Sequence, residues 1–549
     1  MGGLLLAGCR TDSPSGPGHK GQAPRTSSED DSPEALERRS EAHARYATAV
    51  SYDWNEEPEE AAAEYYKAAL ADPTNESLVL EVSQRLVQLR QNEKAAEVLS
   101  NATCMARASG ILFAQLGRVY ALLGKKDLAV EANRMAIKKM PRSMVGYRNL
   151  AQIHFQNSQY EEGLKVLDQA AKQSNPDANY LIELAELYTG FIRPGAAPAA
   201  KERALESYHR AAKLNPTNAF LIQKLADGFA VVGEPDRAAE LYLKLLERIP
   251  SWPGLREKLA ELYLRQQDRK KAAEQLEAII RNNPTHVQAY YLLGSIAFED
   301  ENPKQAAEYF AKAMLLNPNF EPVYYDLAGA QINLNKPYEA LATLDKARTK
   351  FQQRFVSEFY TAMAYTRLKD YTNALKHLTA AEVIARATET NRLNQRFYYQ
   401  LAAACERNQK YDEAEMHFRK CLELSPDFSE AMNYLGYMWA DRGTNLTEAH
   451  ALIEKAVKLE PKNPAYLDSL GWVLYKLNKP KEALPWLLKS IEHSEEPDAT
   501  LYDHLGDIYT ALQQPDKARA AWRKALSVEP SEQIQKKLGA TTTSENSPR

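Results

Sequence analysis

Prolines recur along this chain at a fixed interval. Pro216, Pro250, Pro284 and Pro318 stand 34 residues apart, three of them in matching settings: "NPTN" from Asn215, "NPTH" from Asn283 and "NPNF" from Asn317. Proline supplies no backbone N–H and disfavours helix at the residue before it, so each one marks a helix end. A period of this length holds two short helices and their turns, and one such hairpin cannot bury its own apolar face. The spacing therefore predicts an all-α stack of repeated helix hairpins in which each unit leans on the next.

The rest of the unit keeps the same register. It reads Tyr290, Leu293-Gly294, Ala306, Phe310, Ala313 and Pro318 in one repeat, and Phe113, Leu116-Gly117, Tyr120, Ala129, Ala136 and Pro141 in another. A third has Tyr502, Leu505-Gly506, Tyr509, Ala518, Trp522, Ala525 and Pro530. Large side chains fill the space between two antiparallel helices, while glycine and alanine sit where the backbones must approach. This pattern resembles the tetratricopeptide repeat (TPR) family. The resemblance implies a superhelical solenoid of about fourteen helix-turn-helix repeats.

The register assigns residues 42–532 to the repeat array. Three stretches depart from it: Thr189 to Arg203 lengthens a loop between two helices, Ala385 to Asn394 lengthens a repeat junction, and one residue is added near Gly443. Residues 10–41, whose Arg10 to Pro33 stretch is rich in Ser, Pro, Gly and acidic residues, read as a disordered tether and lead-in. "SEQIQKKLG" after Ser531 reads as one extra helix shielding the last repeat, and residues 533–549 as its end followed by a disordered tail.

Residues 1–9, "MGGLLLAGC", read differently again. Leu6-Ala7-Gly8-Cys9 resembles a bacterial lipobox, in which the cysteine becomes the lipidated N-terminal residue. The preceding stretch has neither a basic n-region nor a full apolar core. The reading is of a truncated lipoprotein signal whose natural start lies upstream of Met1. Because Arg10 rather than Asp follows the cysteine, the resemblance implies the periplasmic face of the outer membrane. The membrane is then met only through the lipid on Cys9.

With a net charge of -4 and basic residues interspersed among acidic ones, the chain has no stripe suited to nucleic acid. No GxSxG, HExxH, P-loop or dinucleotide fingerprint occurs, so no catalytic residue, cofactor or metal is expected. His154, at a position that holds Tyr120 and Tyr263 elsewhere, reads as a packed core residue. Cys405 and Cys421 fall at core positions of one repeat and read as small buried hydrophobes, with a disulfide between them left open.

Binding remains. TPR resemblance implies a concave groove formed by the first helix of each repeat at its second, fifth, ninth and twelfth positions. The fifth position reads Tyr291, Tyr325, Phe359 and Tyr399 in successive repeats, and other groove positions add Phe298, Ile332, Met363, Tyr437, Trp472 and Tyr475. Aromatics at helical spacing also suit packing between repeats, and both readings stay open. The N-terminal half is more polar there, with Arg118, Arg148, Gln152, Gln223, Asp227 and Glu261.

"NYLGYMWADRG", "DSLGWVLYKLNKPKEALPWL" and "YDHLGDIYTALQQPDKARAAWRKAL" resemble the C-terminal repeats of TPR lipoproteins of Gram-negative envelopes. That resemblance implies partners that are proteins or peptide segments. One possibility is an adaptor that brings cell-wall hydrolases to a carboxyl-terminal processing protease. The alternative is a component of exopolysaccharide export or outer-membrane assembly machinery.

Overall fold

The structure, a computed structural model, describes residues 32–192 and 198–543. Among these there are 29 α-helices and no strand. Numbered α1 (Pro33–Trp54) to α29 (Glu532–Thr543) in chain order, α1 to α12 and α15 to α28 pair into thirteen hairpins, each with a first helix A and a second helix B, and α13 (Leu255–Arg265) and α14 (Arg269–Asn282) follow in the same A, B order. The chain divides into two compact units, one up to Ala272 and one from Ala273. Within each, hairpin packs on hairpin as in a TPR solenoid. No helix among the described residues is long and apolar enough to cross a membrane.

One repeat shows why the sequence folds this way. Helix α15 (Val287–Glu299) and helix α16 (Pro303–Leu316) bury Leu293, Gly294, Ala306, Phe310 and Ala313 between them. A Cβ on Gly294 would lie 2.6 Å from a ring carbon of Phe310, so only glycine admits the ring. The B helix ends at Asn317, whose backbone (φ −133°, ψ 89°) is the extended conformation that Pro318 imposes on its predecessor.

Most A helices close with the same device; α9 (Ala178–Thr189), whose C-cap Gly190 stays right-handed, does not. After α15, Glu301 turns left-handed (φ 57°), its N–H reaches the Phe298 carbonyl and the Asn302 N–H the Ala297 carbonyl at 2.9 Å. These two bonds satisfy carbonyls that the helix end leaves open. Asn335 and Lys369 repeat the left-handed turn at φ 56° and 59°. Asn302 then caps α16 by accepting the Gln305 N–H, and Pro303 opens the helix where its missing N–H costs nothing.

The ends and insertions refine the sequence reading. Helix α1 starts at Pro33, so residues 33–41, read as tether and lead-in, form its first turns. The Ser32 hydroxyl caps it through the Ala35 N–H. The added residues at Ala385 to Asn394 are largely helix: α20 runs from Tyr371 to Thr388, 18 residues, before a 3-10 turn at Thr390–Arg392. Near Gly443 the extra residue is absorbed by two left-handed positions, Gly443 and Asn445. Part of the Thr189 to Arg203 loop falls outside the described residues, as do Cys9 and its surroundings. At the C-terminus α29 packs Ile534 against Ala518, Trp522 and Ala525, covering the apolar side of the last hairpin.

Candidate binding face of the C-terminal unit

The A helices of the C-terminal unit carry most of the aromatic residues singled out above. The fifth-position aromatics occupy the seams between repeats. Tyr291 on α15 donates its hydroxyl to Asp326 Oδ2 at 2.8 Å on the next A helix, α17 (Pro322–Asn333), and meets Phe320 edge-on at 4.8 Å. Tyr325 is only 6% exposed and donates to Glu321 Oε1 at 2.9 Å. On α19 (Phe355–Arg367), Phe359 stacks on Phe355 at 5.5 Å and reaches Phe397 of the following repeat. Tyr399 on α21 (Gln395–Arg407) stands among Phe418, Phe428 and Tyr434.

The ninth and twelfth positions line a groove, although Ile332 is as buried as Tyr325. Phe298 and Ile332, both twelfth, join Met363 and Gly329, both ninth, in the lining of one groove of about 680 Å³ that spans α15, α17, α19 and α21. Phe298 is 36% exposed. Tyr360 completes the apolar floor: a Cβ on Gly329 would sit 3.4 Å from its ring, so the glycine leaves the ring in ordinary contact with the α17 backbone. Burial pushes the Tyr360 hydroxyl pKa up, so it stays a neutral hydrogen-bonding group. Sequence reasoning did not reach Tyr360, because it occupies the sixth position.

Tyr437 on α23 (Ser429–Arg442) lines a separate, smaller cavity with Asn433, Tyr434 and Arg442. Trp472 and Tyr475 on α25 (Pro464–Lys476) form a third cluster, stacked on each other at 5.1 Å. Trp472 also stacks on His504 at 3.9 Å, and that buried histidine bonds Asp468 Oδ1 at 2.8 Å through Nδ1. Beyond it, Lys537 of α29 takes both Asp503 and Asp507 at 2.7–2.9 Å. Burial works against the Lys537 charge, but the two carboxylates outweigh it and raise its pKa.

Elsewhere the side chains are structural. Cys405 and Cys421 are both buried and unbonded, and burial pushes each thiol up to about 11, far from a reactive thiolate. His154 is not a core residue: it is partly exposed and bonds Gln159 at 3.0 Å through Nδ1. Among the described residues no cluster of His, Cys, Asp or Glu is arranged to hold a metal.

The geometry agrees with comparison to known proteins. Families described as tetratricopeptide repeats match residues 257–316, 297–364, 396–428, 440–497 and 499–532. A TPR repeat-containing protein of Pseudomonas aeruginosa is 31% identical over 169 residues, 31% of this chain and 28% of that protein. One of Methanocaldococcus jannaschii is 27% identical over 157 residues, 29% of this chain and 27% of its own length. The chain thus spans less than a third of the curated relatives it matches. Among solved structures, one from the Cut9–Hcn1 APC/C hetero-tetramer is 14% identical and covers 87% of this chain and 92% of its own, with a TM-score of 0.38. A tetratricopeptide repeat protein of Parabacteroides merdae is 21% identical, covers 47% and 98%, and has a TM-score of 0.37. Repeats in register, hairpins stacked within each unit and family matches along the C-terminal half make this chain a tetratricopeptide-repeat protein.

Proposed function

We propose that this chain is a non-enzymatic scaffold that holds segments of partner proteins against the A helices of its C-terminal unit. The observation that carries this is the groove floored by Phe298, Ile332, Tyr360 and Met363, in which Ile332 is buried, Tyr360 and Met363 are half-buried and Phe298 is exposed at its mouth. Apolar surface left open on a rigid framework is favourable to cover, and aromatic side chains give much contact for little ordering entropy. In the finer reading Cys9 anchors the chain to the periplasmic face of the outer membrane. There it serves as an adaptor that presents substrates to a carboxyl-terminal processing protease.

In-cell photocrosslinking tests this. A photoreactive phenylalanine at Phe298 should capture discrete proteins that the same group at Val383, exposed on a B helix, does not; equal capture at both would remove the groove from the account. Protease and hydrolases in the product support the adaptor role, whereas assembly-machinery components would put the alternative in its place. For the anchor, Cys9→Ala should abolish outer-membrane fractionation, and a mature Cys9 without lipid mass would refute it.

A further inference from the structure

We infer that the α15–α21 groove selects partner segments that pair a large apolar side chain with neighbouring carboxylates. The inference rests on the scaffold reading above and adds the chemistry of what is held. Two charged side chains line the groove, Arg367 and Lys369, and none of the lining residues is acidic. Both are exposed, and among the described residues neither is in an ion pair. That separates them from bases such as Arg348 and Arg419, whose charges are taken by Glu358 and Glu448.

Two acids stand close by: Asp370, next to Lys369 in the chain, whose carboxylate accepts the Asn373 backbone N–H at 3.1 Å and its side-chain amide at 2.7 Å, and Asp326 on α17. Asp326 accepts the Tyr291 hydroxyl, and burial raises its pKa, so its charge is the disfavoured form. Two further bases near the lining are paired and add no free charge: Arg407, over the Tyr371 ring at 5.7 Å, meets Glu406, and Arg392, which acts on the Tyr360 hydroxyl, meets Glu389. The groove is thus an apolar floor under a positive rim. An aliphatic or aromatic residue would cover the floor while adjacent Asp, Glu or a terminal carboxylate meets Arg367 and Lys369. A basic segment would place like charges together, which lowers its affinity and association rate.

The test is selection of random heptapeptides displayed on phage against the full chain, followed by affinity measurement with the most enriched peptide. Asp or Glu within two positions of Phe, Leu, Ile or Met should be enriched. Arg367→Gln with Lys369→Glu should weaken the peptide by roughly tenfold or more and flatten its salt dependence. That turn tolerates the change, since Glu301 already holds the same left-handed position two hairpins away in the same unit. Gly329→Ala adds a methyl to the floor at ordinary contact distance from Tyr360 and favours the helix. It should weaken binding several-fold with no loss of thermal stability. Enrichment of basic peptides, or acidic peptides indifferent to these substitutions, overturns the inference while leaving a scaffold that binds elsewhere. Failure to enrich any peptide would sink both.

Discussion

The two units use one hairpin and close its seams in different ways. In the N-terminal unit neighbouring repeats are joined across their A helices by ion pairs: Arg85 with Asp53 at 2.7 Å, Arg148 with Glu183, Lys224 with Glu186 at 3.1 Å, and Lys258 with Asp227 at 2.7 Å. In the C-terminal unit, Tyr291, Phe359 and Tyr399 occupy the corresponding seams with rings. The repeat backbone is indifferent to the choice, but the surface is not. Charged seams leave a polar A-helix face, whereas the aromatic seams run beside an apolar groove at the ninth and twelfth positions. The polar N-terminal and aromatic C-terminal halves read from sequence are therefore two kinds of glue as well as two kinds of surface.

Removing a ring should hurt most. Tyr325→Ala empties a site that is 6% exposed and should cost about 3 kcal/mol, in the range for large-to-small core substitutions. Phe359→Ala, half-buried, should cost somewhat less. Urea titration reads both. If either variant melts like wild type and instead loses only partner capture, the seam assignment is wrong and that ring is a contact residue. Next in size is Gly294→Leu, which drives a side chain into the Phe310 ring and should cost about 1–3 kcal/mol. Because each hairpin touches only its neighbours, amide exchange should rise in α15 to α17 and little at α27 (Ala499–Ala511); a uniform rise would mean that the stack behaves as one cooperative core.

Lys258→Ala sharpens the contrast from the other side. The pair is partly exposed (41% and 37% for the two side chains), so its loss should cost below about 1 kcal/mol and the cost should shrink in high salt. The Tyr325 and Gly294 effects should not respond to salt. A salt-independent loss of several kcal/mol at Lys258 would show that the N-terminal seams depend on packing after all.

What was legible in the sequence was whatever one residue type alone can do. Gly294 under Phe310, the alanines at 306 and 313, and the proline after most B helices are fixed by sterics that admit few alternatives, so the register could be read directly. The left-handed turn after most A helices was invisible. It is set by two backbone bonds and filled by Glu301, Asn335, Lys369 and Gln409 as readily as by Gly443. The groove was half legible. Phe298, Ile332 and Met363 follow from periodicity, but Tyr360 stands at the sixth position, outside the groove-facing set, and joins the lining beside Gly329 of the preceding repeat. His154 was misread for a related reason: its position in the register holds buried Tyr263 elsewhere, yet a shorter polar ring finds Gln159 and stays at the surface.

The smallest effects separate the two kinds of seam most cleanly, because one substitution should act with opposite sign in each. In the N-terminal unit Asp227 receives the Lys258 ammonium and the Tyr242 hydroxyl, so Asp227→Asn keeps an acceptor but loses a charge that is compensated, and stability should fall by up to about 1 kcal/mol. In the C-terminal unit Asp326 has the Tyr291 hydroxyl and no cation, and burial holds its pKa above the ordinary carboxylate range. A carboxylate whose folded pKa exceeds its unfolded one favours folding when protonated. Its ionised form therefore weakens the fold at neutral pH, and that cost is relieved as pH falls through the folded pKa. Asp326→Asn should accordingly raise the unfolding midpoint at pH 7, by less than about 1 kcal/mol, and the advantage over wild type should vanish in acid. Thermal unfolding of both variants and wild type at neutral and acidic pH decides it. If Asp326→Asn is as damaging as Asp227→Asn at pH 7, the aromatic seam relies on that charge and the distinction between the two units fails at the residue where it is sharpest.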